Sequence, residues 1–168
     1  MDRTTLKNFI AEAQGRRLAC YQNGEGIPCI GVGVNLLEER NAQRIDVLGR
    51  VIGNLRAGRE ELTEREVDWL LDGDIEQAIQ DAQHLIANFD ELDPVRQMVL
   101  VDMTFNLGRQ RFAGFKRLRA AIIAGRFEEA ANEMVDSLWF RQVKSRGLRN
   151  VAAMRSGKHE MTARQSIG

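Results

Sequence analysis

The sequence predicts an α+β protein that is mostly helical, with a small antiparallel sheet lobe and a helical lobe joined by a long helix. Three observations predict this class. Glycines and an Asn-Gly dipeptide interrupt residues 17–35, as is typical of short hairpin strands. Apolar residues recur at helical spacing over most of the chain after Leu37. A periodic stretch of over twenty residues begins at Thr63 and is long enough to cross a small protein.

The N-terminal segment predicts a helix over residues 4–14. Its apolar residues follow the i, i+3, i+4, i+7 pattern: Leu6, Phe9, Ile10 and Ala13. Gly15 follows at once and can adopt the left-handed conformation that ends a helix. Gln14 is therefore expected at the C-terminus of a rigid helix, directly before the strands of residues 17–35.

The middle of the chain predicts two helices. Residues 42–52 keep helical spacing as far as Gly53, and we expect one helix there. Thr63 and Glu66 form a capping-box pattern, in which each side chain accepts from the other residue's backbone N–H. The long helix that starts there, over about 63–87, is predicted to connect the lobes.

The C-terminal half predicts several shorter helices. Asp93 and Pro94 match an N-cap followed by a proline at the first helical position. The helix they open should end at Gly108. Further helices are expected around residues 115–124, 127–135 and 143–154.

These elements predict a single domain made of connected parts. An N-terminal lobe with the sheet covers about 15–62, and a helical C-terminal lobe covers about 88–156. Helix 4–14 is expected to pack on the C-terminal lobe. Residues 157–168 show no apolar periodicity and are expected to form a tail.

Composition places the 168-residue chain among ordinary globular proteins, since 43% of its residues are hydrophobic and 29% are charged. No apolar run approaches the ~20 residues that a membrane span needs, and we see no signal peptide. Cys20 and Cys29 fit neither a zinc-binding spacing nor a disulfide framework, so reduced thiols are expected. His84 and His159 lack partners at ligand spacing, and we predict no metal and no other cofactor.

The net charge of zero hides an uneven distribution along the chain. Residues 1–108 carry 19 acidic and 11 Lys or Arg residues, whereas residues 109–158 carry 4 acidic and 12 basic residues. A basic half is typical of proteins that bind a polyanion, such as nucleic acid, a membrane surface or an anionic wall polymer. Pairing between the acidic and basic segments, or plain solvation, explains the same pattern equally well.

The candidate chemistry lies between Gln14 and Gly33, which reads Gln-Gly-Arg-Arg-Leu-x-x-Tyr-x-Asn-x-x-Gly-x-x-Cys-Ile-Gly-x-Gly. Glycoside hydrolysis usually needs two carboxyl groups that flank the scissile bond, one as proton donor and one as nucleophile or water activator. A helix end followed by a hairpin can hold such a pair. This segment resembles the active-site signature of the phage-type lysozymes. In that signature a Glu precedes the first Gly, an Asp follows nine residues later, a Gly twelve later and a Thr fifteen later.

The resemblance covers nearly the whole chain. Similar motifs in the C-terminal half are Phe89-Asp-x-Leu-Asp-x-Val-Arg96, Met103-x-Phe-Asn-Leu-Gly108, Ala113-Gly-Phe115, Glu129-Ala-Ala131 and Trp139. The resemblance implies a lysozyme-like fold. Trp69 and Trp139 are expected to be core or lobe-packing aromatics rather than sugar platforms.

The resemblance also implies hydrolysis of the β-1,4 bond between N-acetylmuramic acid and N-acetylglucosamine in peptidoglycan, with inversion. In the family the Glu protonates the departing oxygen, and the Asp, with the Thr, positions the attacking water. The matching positions of this chain are Gln14, Asn23 and Cys29. A carboxamide has no proton to donate at neutral pH. Because general acid–base catalysis contributes ~10²–10⁴-fold per group, we expect strongly impaired hydrolysis.

Four further positions are candidates for substrate binding. Glu25, near the hairpin tip, matches a position where the family often has an acid that contacts substrate, and it could rescue catalysis. Phe105 and Asn106 match residues that line the substrate cleft, although core residues at a buried helix end would look the same. Arg146 matches an arginine that the resemblance pairs with the catalytic Glu, and a plain surface arginine is the equal alternative.

Three functions are consistent with the sequence. The first is a phage-type lysozyme of the endolysin lineage that binds peptidoglycan glycan strands and is catalytically impaired. The second is a non-catalytic pseudo-lysozyme that acts as a wall-binding or protein-interaction module. The third is a nucleic-acid binder that uses the basic half; the sequence holds no recognisable motif for it, and we expect no nucleic-acid partner. We expect a monomer, made in the host bacterial cytoplasm because no signal peptide is seen, that acts on the periplasmic wall.

Overall fold

A computed structural model describes residues 1–159 of the chain, and residues 160–168 lie outside the described part. Most of the predicted tail, 157–168, therefore falls outside it. In the described part the chain forms ten α-helices, a 3₁₀ turn and one three-stranded antiparallel sheet. The predicted class, mostly helical with one small sheet, is confirmed.

The chain divides into two compact units. One covers Arg3–Gln77, and the other combines Met1–Asp2 with the chain from Ala78 onward. The boundary lies inside the long helix rather than at either of its ends. The predicted lobes, about 15–62 and 88–156, and the packing of helix 4–14 on the second lobe remain predictions.

The sheet belongs to the first unit and is confirmed within residues 17–35. Its strands are β1 (Arg17–Gln22), β2 (Pro28–Gly31) and β3 (Val34–Asn35), paired in that order. The register sets Tyr21 opposite Cys29, and Cys29 opposite Asn35. Directly opposed residues in antiparallel strands share one face of the sheet. The side chains of Tyr21, Cys29 and Asn35 therefore form a row across it.

Four helices start in the first unit: α1 (Arg3–Gln14), α2 (Glu39–Val47), α3 (Ile52–Arg56) and α4 (Glu64–Leu85). The single helix predicted over residues 42–52 is wrong. Gly49 adopts a φ of +70° between α2 and α3, which ends the first helix. Val51 continues the apolar spacing in the sequence but is 58% exposed in the structure.

The start of α4 is fixed by the predicted capping box, which is confirmed. The backbone N–H of Thr63 donates to Glu66 Oε2 at 2.6 Å, and the N–H of Glu66 donates to Thr63 Oγ1 at 3.3 Å. Farther along α4, Asp72 accepts a hydrogen bond from Lys7 Nζ at 2.9 Å. Arg3 Nη1 reaches Glu76 Oε2 at 3.1 Å. These two pairs tie α1 to α4 within the unit and hold Gln14 at the end of a fixed helix.

The second unit is helical in its described part. Its helices are α5 (Pro94–Leu107), α6 (Arg109–Ala113), α7 (Lys116–Ile123), α8 (Phe127–Val135), α9 (Leu138–Val143) and α10 (Ser145–Ser156). The predicted cap of α5 is confirmed, since the Asp93 carboxylate accepts from the N–H groups of Val95 and Arg96. The predicted helix from residue 143 is wrong at its start. Lys144, at a φ of 46° and a ψ of −112°, separates α9 from α10.

Arg96 anchors the end of α10 within this unit. Its Nε donates to the carbonyl of Met154 at 2.8 Å and its Nη2 to the carbonyl of Arg155 at 2.9 Å. The guanidinium also lies 3.8 Å from the ring centroid of Phe127. One side chain thus satisfies carbonyls that the helix end leaves open and joins α5, α8 and α10.

The two tryptophans differ in how far they are buried. Trp139 is 3% exposed, and its predicted core position is confirmed. Trp69, on α4, is 47% exposed, so the core alternative is wrong for it, while the lobe-packing alternative stays a prediction. Within residues 1–159, no helix is both long and apolar enough to cross a membrane.

Candidate functional site

Gln14 is the last residue of α1, and its carboxamide lies beside Gly33. The N–H of Gly15 donates to the carbonyl of Ala11 at 2.9 Å, which closes the last turn of the helix. A Cβ placed on Gly33 would lie 3.4 Å from Gln14 Oε1, and Gly33 has a φ of +77°. A glycine at 33 therefore allows this backbone conformation and leaves room for the side chain of residue 14.

Asn23 holds the turn between β1 and β2 with its side chain. Its Oδ1 accepts the N–H of Glu25 at 2.9 Å and the N–H of Ile27 at 3.0 Å. The backbone N–H of Asn23 also donates to the carbonyl of Ile27 at 3.0 Å. The side-chain oxygen is therefore engaged by the turn itself, as asparagine and aspartate often are in loops.

Cys29 lies on β2 as a free thiol that is only 3% exposed. Burial raises the pKa of this thiol, and the neighbouring Cys20 and the Glu38 carboxylate raise it further. Burial likewise raises the pKa of Tyr21, the residue opposite Cys29. The protonated forms of both groups are therefore favoured, and Cys29 is a poor proton acceptor.

Glu25 and Glu38 lie on segments that adjoin the strands of this row: Glu25 in the turn between β1 and β2, and Glu38 after β3. Glu25 is exposed in the turn, where its N–H but not its side chain bonds to Asn23. Glu38 Oε1 accepts from Asn35 Nδ2 at 3.4 Å, and Glu38 Oε2 accepts from Asn41 Nδ2 at 3.2 Å. Sequence reasoning missed Glu38 because it lies beyond the signature and only the β2–β3 register brings it near Cys29.

The remaining predicted residues belong to the second unit. Phe105 is half-buried near the end of α5. Asn106 Oδ1 accepts a hydrogen bond of 2.8 Å from the indole Nε1 of Trp139. This bond orients the carboxamide of Asn106 and satisfies the buried indole N–H.

Arg146 is buried, so the alternative of a plain surface arginine is wrong. Its side chain is 5% exposed and forms a bidentate pair with Asp102, whose side chain is 0% exposed. Asn150 Nδ2 donates to the same carboxylate at 2.7 Å, and Arg149 Nη2 lies 3.4 Å from it. Sequence reasoning missed Asp102, although a lone acid within the apolar stretch of α5 was a usable signal.

A cavity of 680 Å³ lies in the second unit between the α6–α7 segment and the α8–α9 segment. Charged side chains of both signs and one aromatic ring line it: Arg111, Phe115, Lys116, Arg117, Glu133 and Asp136. None of the residues predicted for the site lines this cavity. Sequence reasoning did not find it because the lining residues carry no motif.

Gln14, Asn23, Glu25 and Cys29 thus all belong to the first unit, whereas Phe105, Asn106 and Arg146 belong to the second unit. Two carboxamides and a protonated thiol can exchange hydrogen bonds with a ligand, but they are poorly suited to acid–base catalysis. Within residues 1–159, no group of three or more His, Cys, Asp or Glu side chains is placed to hold a metal ion.

Comparison with known proteins agrees with this fold, which is of the lysozyme-like α+β class. The phage lysozyme family matches the chain over residues 11–155, a span that includes most of both units. This chain therefore belongs to the phage lysozyme family.

Three similar proteins differ in how much of their length this chain covers. The chain is 29% identical over 167 residues to the pre-baseplate central spike protein Gp5 of Enterobacteria phage T4, covering 93% of this chain but 28% of that protein. It is 25% identical over 162 residues to probable T4-type lysozyme 1 of Dictyostelium discoideum, covering 92% of this chain and 95% of that protein. It is 26% identical over 128 residues to the peptidoglycan hydrolase gp36 of Enterobacteria phage SP6, covering 76% of this chain and 13% of that protein.

Proposed function

We propose that this chain is a lysozyme-like protein that binds peptidoglycan glycan strands and whose hydrolysis of the β-1,4 bond is strongly impaired. The observation that carries the proposal is the set of groups at three positions in the first unit. Gln14 and Asn23 present carboxamides, and Cys29 presents a buried thiol whose protonated form is favoured. None of these groups is suited to donate the proton that the leaving oxygen requires.

Membership of the phage lysozyme family supports the substrate class. Relatives named as T4-type lysozyme and peptidoglycan hydrolase point to the same polymer. The engaged oxygen of Asn23 supports the impairment, because two backbone N–H groups already hold it. Its free side-chain atom is an amide nitrogen, which donates hydrogen bonds and cannot activate water as a base.

The test is a reversion of the three positions, Gln14→Glu/Asn23→Asp/Cys29→Thr. Clearing of permeabilised Gram-negative cells and release of reducing ends from purified sacculi are measured for the parent chain and the variant. Losing both acid–base groups should cost roughly 10⁴-fold or more in rate. The reverted protein should therefore clear cells that the parent leaves turbid.

A matched control makes the same formal charge change outside the site. Asn8→Asp/Gln43→Glu adds two carboxylates at exposed positions of α1 and α2. This control should remain as inactive as the parent. Robust clearing by the unreverted parent would refute the impairment and direct attention to Glu25 or Glu38 as substitute carboxylates.

A second candidate function is that of a non-catalytic wall-binding or interaction module. It is favoured by the match to a central spike protein of which this chain spans only 28%. This function predicts retention on purified sacculi without release of reducing ends, before and after reversion. Retention followed by cleavage after reversion supports the impaired lysozyme instead.

A further inference from the structure

The C-terminal segment 137–159 contains no acidic residue and six Lys or Arg residues. In the structure, some of these six cations pair with an acidic side chain and others do not. Arg146 pairs with Asp102, Arg149 lies against the same carboxylate, and Arg155 pairs with Glu128 at 2.8 Å. Internal pairing therefore accounts for only part of the basic character of this segment.

Three cations of the segment form no ion pair with any residue in the described part of the chain: Arg141, Lys144 and Lys158. All three side chains are exposed. Elsewhere in the basic half, Arg109, Arg117 and Arg126 each have an acidic partner. Arg141 and Lys144 thus place uncompensated charge at α9 and at its junction with α10, while Arg111 and Lys116 are likewise exposed without an ion pair to any described residue.

Two leucines of the same two helices, one on α9 and one on α10, are exposed. Leu138 is 63% exposed and Leu148 is 64% exposed, which is unusual for a large apolar side chain. Exposed residues follow one another three or four positions apart along α9 and α10. We call this set the α9–α10 stripe: Leu138, Arg141, Lys144, Leu148 and Ala152. Trp139 and Val151, which lie between members of the stripe in the sequence, are buried, whereas Gln142 and Ser145 are exposed.

We infer that the α9–α10 stripe docks on the surface of a bilayer that contains anionic phospholipid. Cations beside exposed leucines are the composition of interfacial helices, in which Lys and Arg attract headgroups and apolar side chains enter the boundary of the acyl chains. The charge of the stripe is complementary to such a surface, since no acidic side chain stands within residues 137–159. The leucines supply the apolar contact.

The same features favour a bilayer over a nucleic acid as the binding partner of the α9–α10 stripe. Proteins that bind nucleic acid use cations, which attract the phosphates, and exposed aromatic rings, on which the bases stack. Here Trp139 is buried, Phe140 is half-buried, and the exposed apolar groups are aliphatic. The docking is peripheral, since α9 and α10 have 6 and 12 residues and a membrane span needs ~20.

The test measures binding of the full chain to vesicles by co-sedimentation. Vesicles of equal parts phosphatidylglycerol and phosphatidylcholine are compared with vesicles of phosphatidylcholine alone. Arg141→Gln/Lys144→Gln should lower the partition coefficient on the anionic vesicles about 30-fold, since each cation near such a surface contributes about fivefold. Leu138→Ser/Leu148→Ser should lower it about tenfold or more, because the apolar contact is lost.

Matched controls make the same changes in the first unit, at exposed positions outside the stripe. Arg56→Gln/Arg59→Gln removes two exposed cations, and Val47→Ser/Val51→Ser removes two exposed apolar side chains. Both controls should bind as the parent does, and circular dichroism should report the same melting temperature for all variants.

Three results would overturn the inference. One is that the parent does not bind anionic vesicles above its level on phosphatidylcholine. Another is that the stripe variants and the controls lose binding equally. The third is that the leucine variant binds vesicles as tightly as the parent while the cation variant loses vesicles and a DNA duplex to the same extent, which indicates a general polyanion site.

Discussion

Arg146 donates two hydrogen bonds to the carboxylate of Asp102, from Nε at 2.9 Å and from Nη2 at 2.7 Å. Both side chains are almost wholly removed from solvent. A buried bidentate pair fixes the plane of the guanidinium, because both oxygens and two nitrogens are engaged at once. In this chain, therefore, the carboxylate that holds Arg146 is supplied from α5.

Removing the charge of Asp102 should destabilise the second unit strongly. Asp102→Asn leaves the buried guanidinium of Arg146 without its counter-charge, and breaking such a pair typically costs about 3–5 kcal/mol. Urea unfolding followed by circular dichroism measures the loss. The double variant Asp102→Leu/Arg146→Met removes both charges and should cost less than Asp102→Asn alone. A loss below about 1 kcal/mol in the single variant would contradict the assigned pair.

Asn23→Asp should leave the hairpin intact, whereas Asn23→Ala should weaken it. A carboxylate oxygen can accept the N–H groups of Glu25 and Ile27 as the carboxamide oxygen does. Alanine loses both bonds, and each contributes about 1 kcal/mol net. Thermal unfolding should therefore place the Asp variant close to the parent and the Ala variant several degrees lower. Equal melting temperatures for Asp and Ala would show that the side chain does not hold the turn.

The sequence predicted the fold well where a short motif is strongly associated with one local structure, such as a helix cap or a tight turn. The capping box of Thr63 and Glu66, the Asp93–Pro94 start of α5 and the Asn23–Gly24 turn were all predicted from short motifs. The split at Gly49 was missed because apolar spacing continued across it through Val51, which is exposed. The break at Lys144 was missed because a lysine gives no signal for a positive φ.

The site was only partly predictable for a different reason. The signature located Gln14, Asn23 and Cys29, and the structure places all three in the first unit. Asp102 is bound by Arg146 and Asn150 of α10, which are distant in the sequence. The hydrogen-bond partners of Glu38 are only three residues away, but its proximity to Cys29 depends on the strand register. Helix packing and strand register, rather than local sequence, produce these two proximities.

The ionisation of Glu66 should make the unfolding free energy of the first unit depend on pH. The hydrogen bond from Arg50, with those from Thr63, lowers the pKa of Glu66 to about 2 despite partial burial, from an ordinary value of about 4.3. A lowered pKa in the folded state gives stability that is present above the ordinary value and is lost as the pH falls toward 2. We expect a loss of about 1–2 kcal/mol over that range, since solvent screens the pair in part.

The variant Glu66→Gln tests this pH dependence. Its unfolding free energy should be lower than the parent's near neutral pH, and the difference should shrink between about pH 4.5 and 2. Glu61→Gln removes an exposed carboxyl that forms no ion pair with any described residue, and it serves as the control. A difference between the parent and Glu66→Gln that stays constant down to pH 2 would mean that the proton linkage lies elsewhere.

Lys144 is the one non-glycine residue in the described part of the chain with a positive φ, and its backbone is strained. Its φ of 46° and ψ of −112° lie in a region that side chains with a Cβ rarely adopt, at a cost of roughly 1–3 kcal/mol. Lys144→Gly relieves this strain. It also raises the conformational entropy of the unfolded chain, which offsets part of the gain. We expect a net gain of about 1 kcal/mol, measured as a higher urea midpoint. Lys144→Ala removes the same side chain and keeps the strain, so it should unfold near the parent. Equal midpoints for the Gly and Ala variants would show that the α9–α10 junction relaxes without cost.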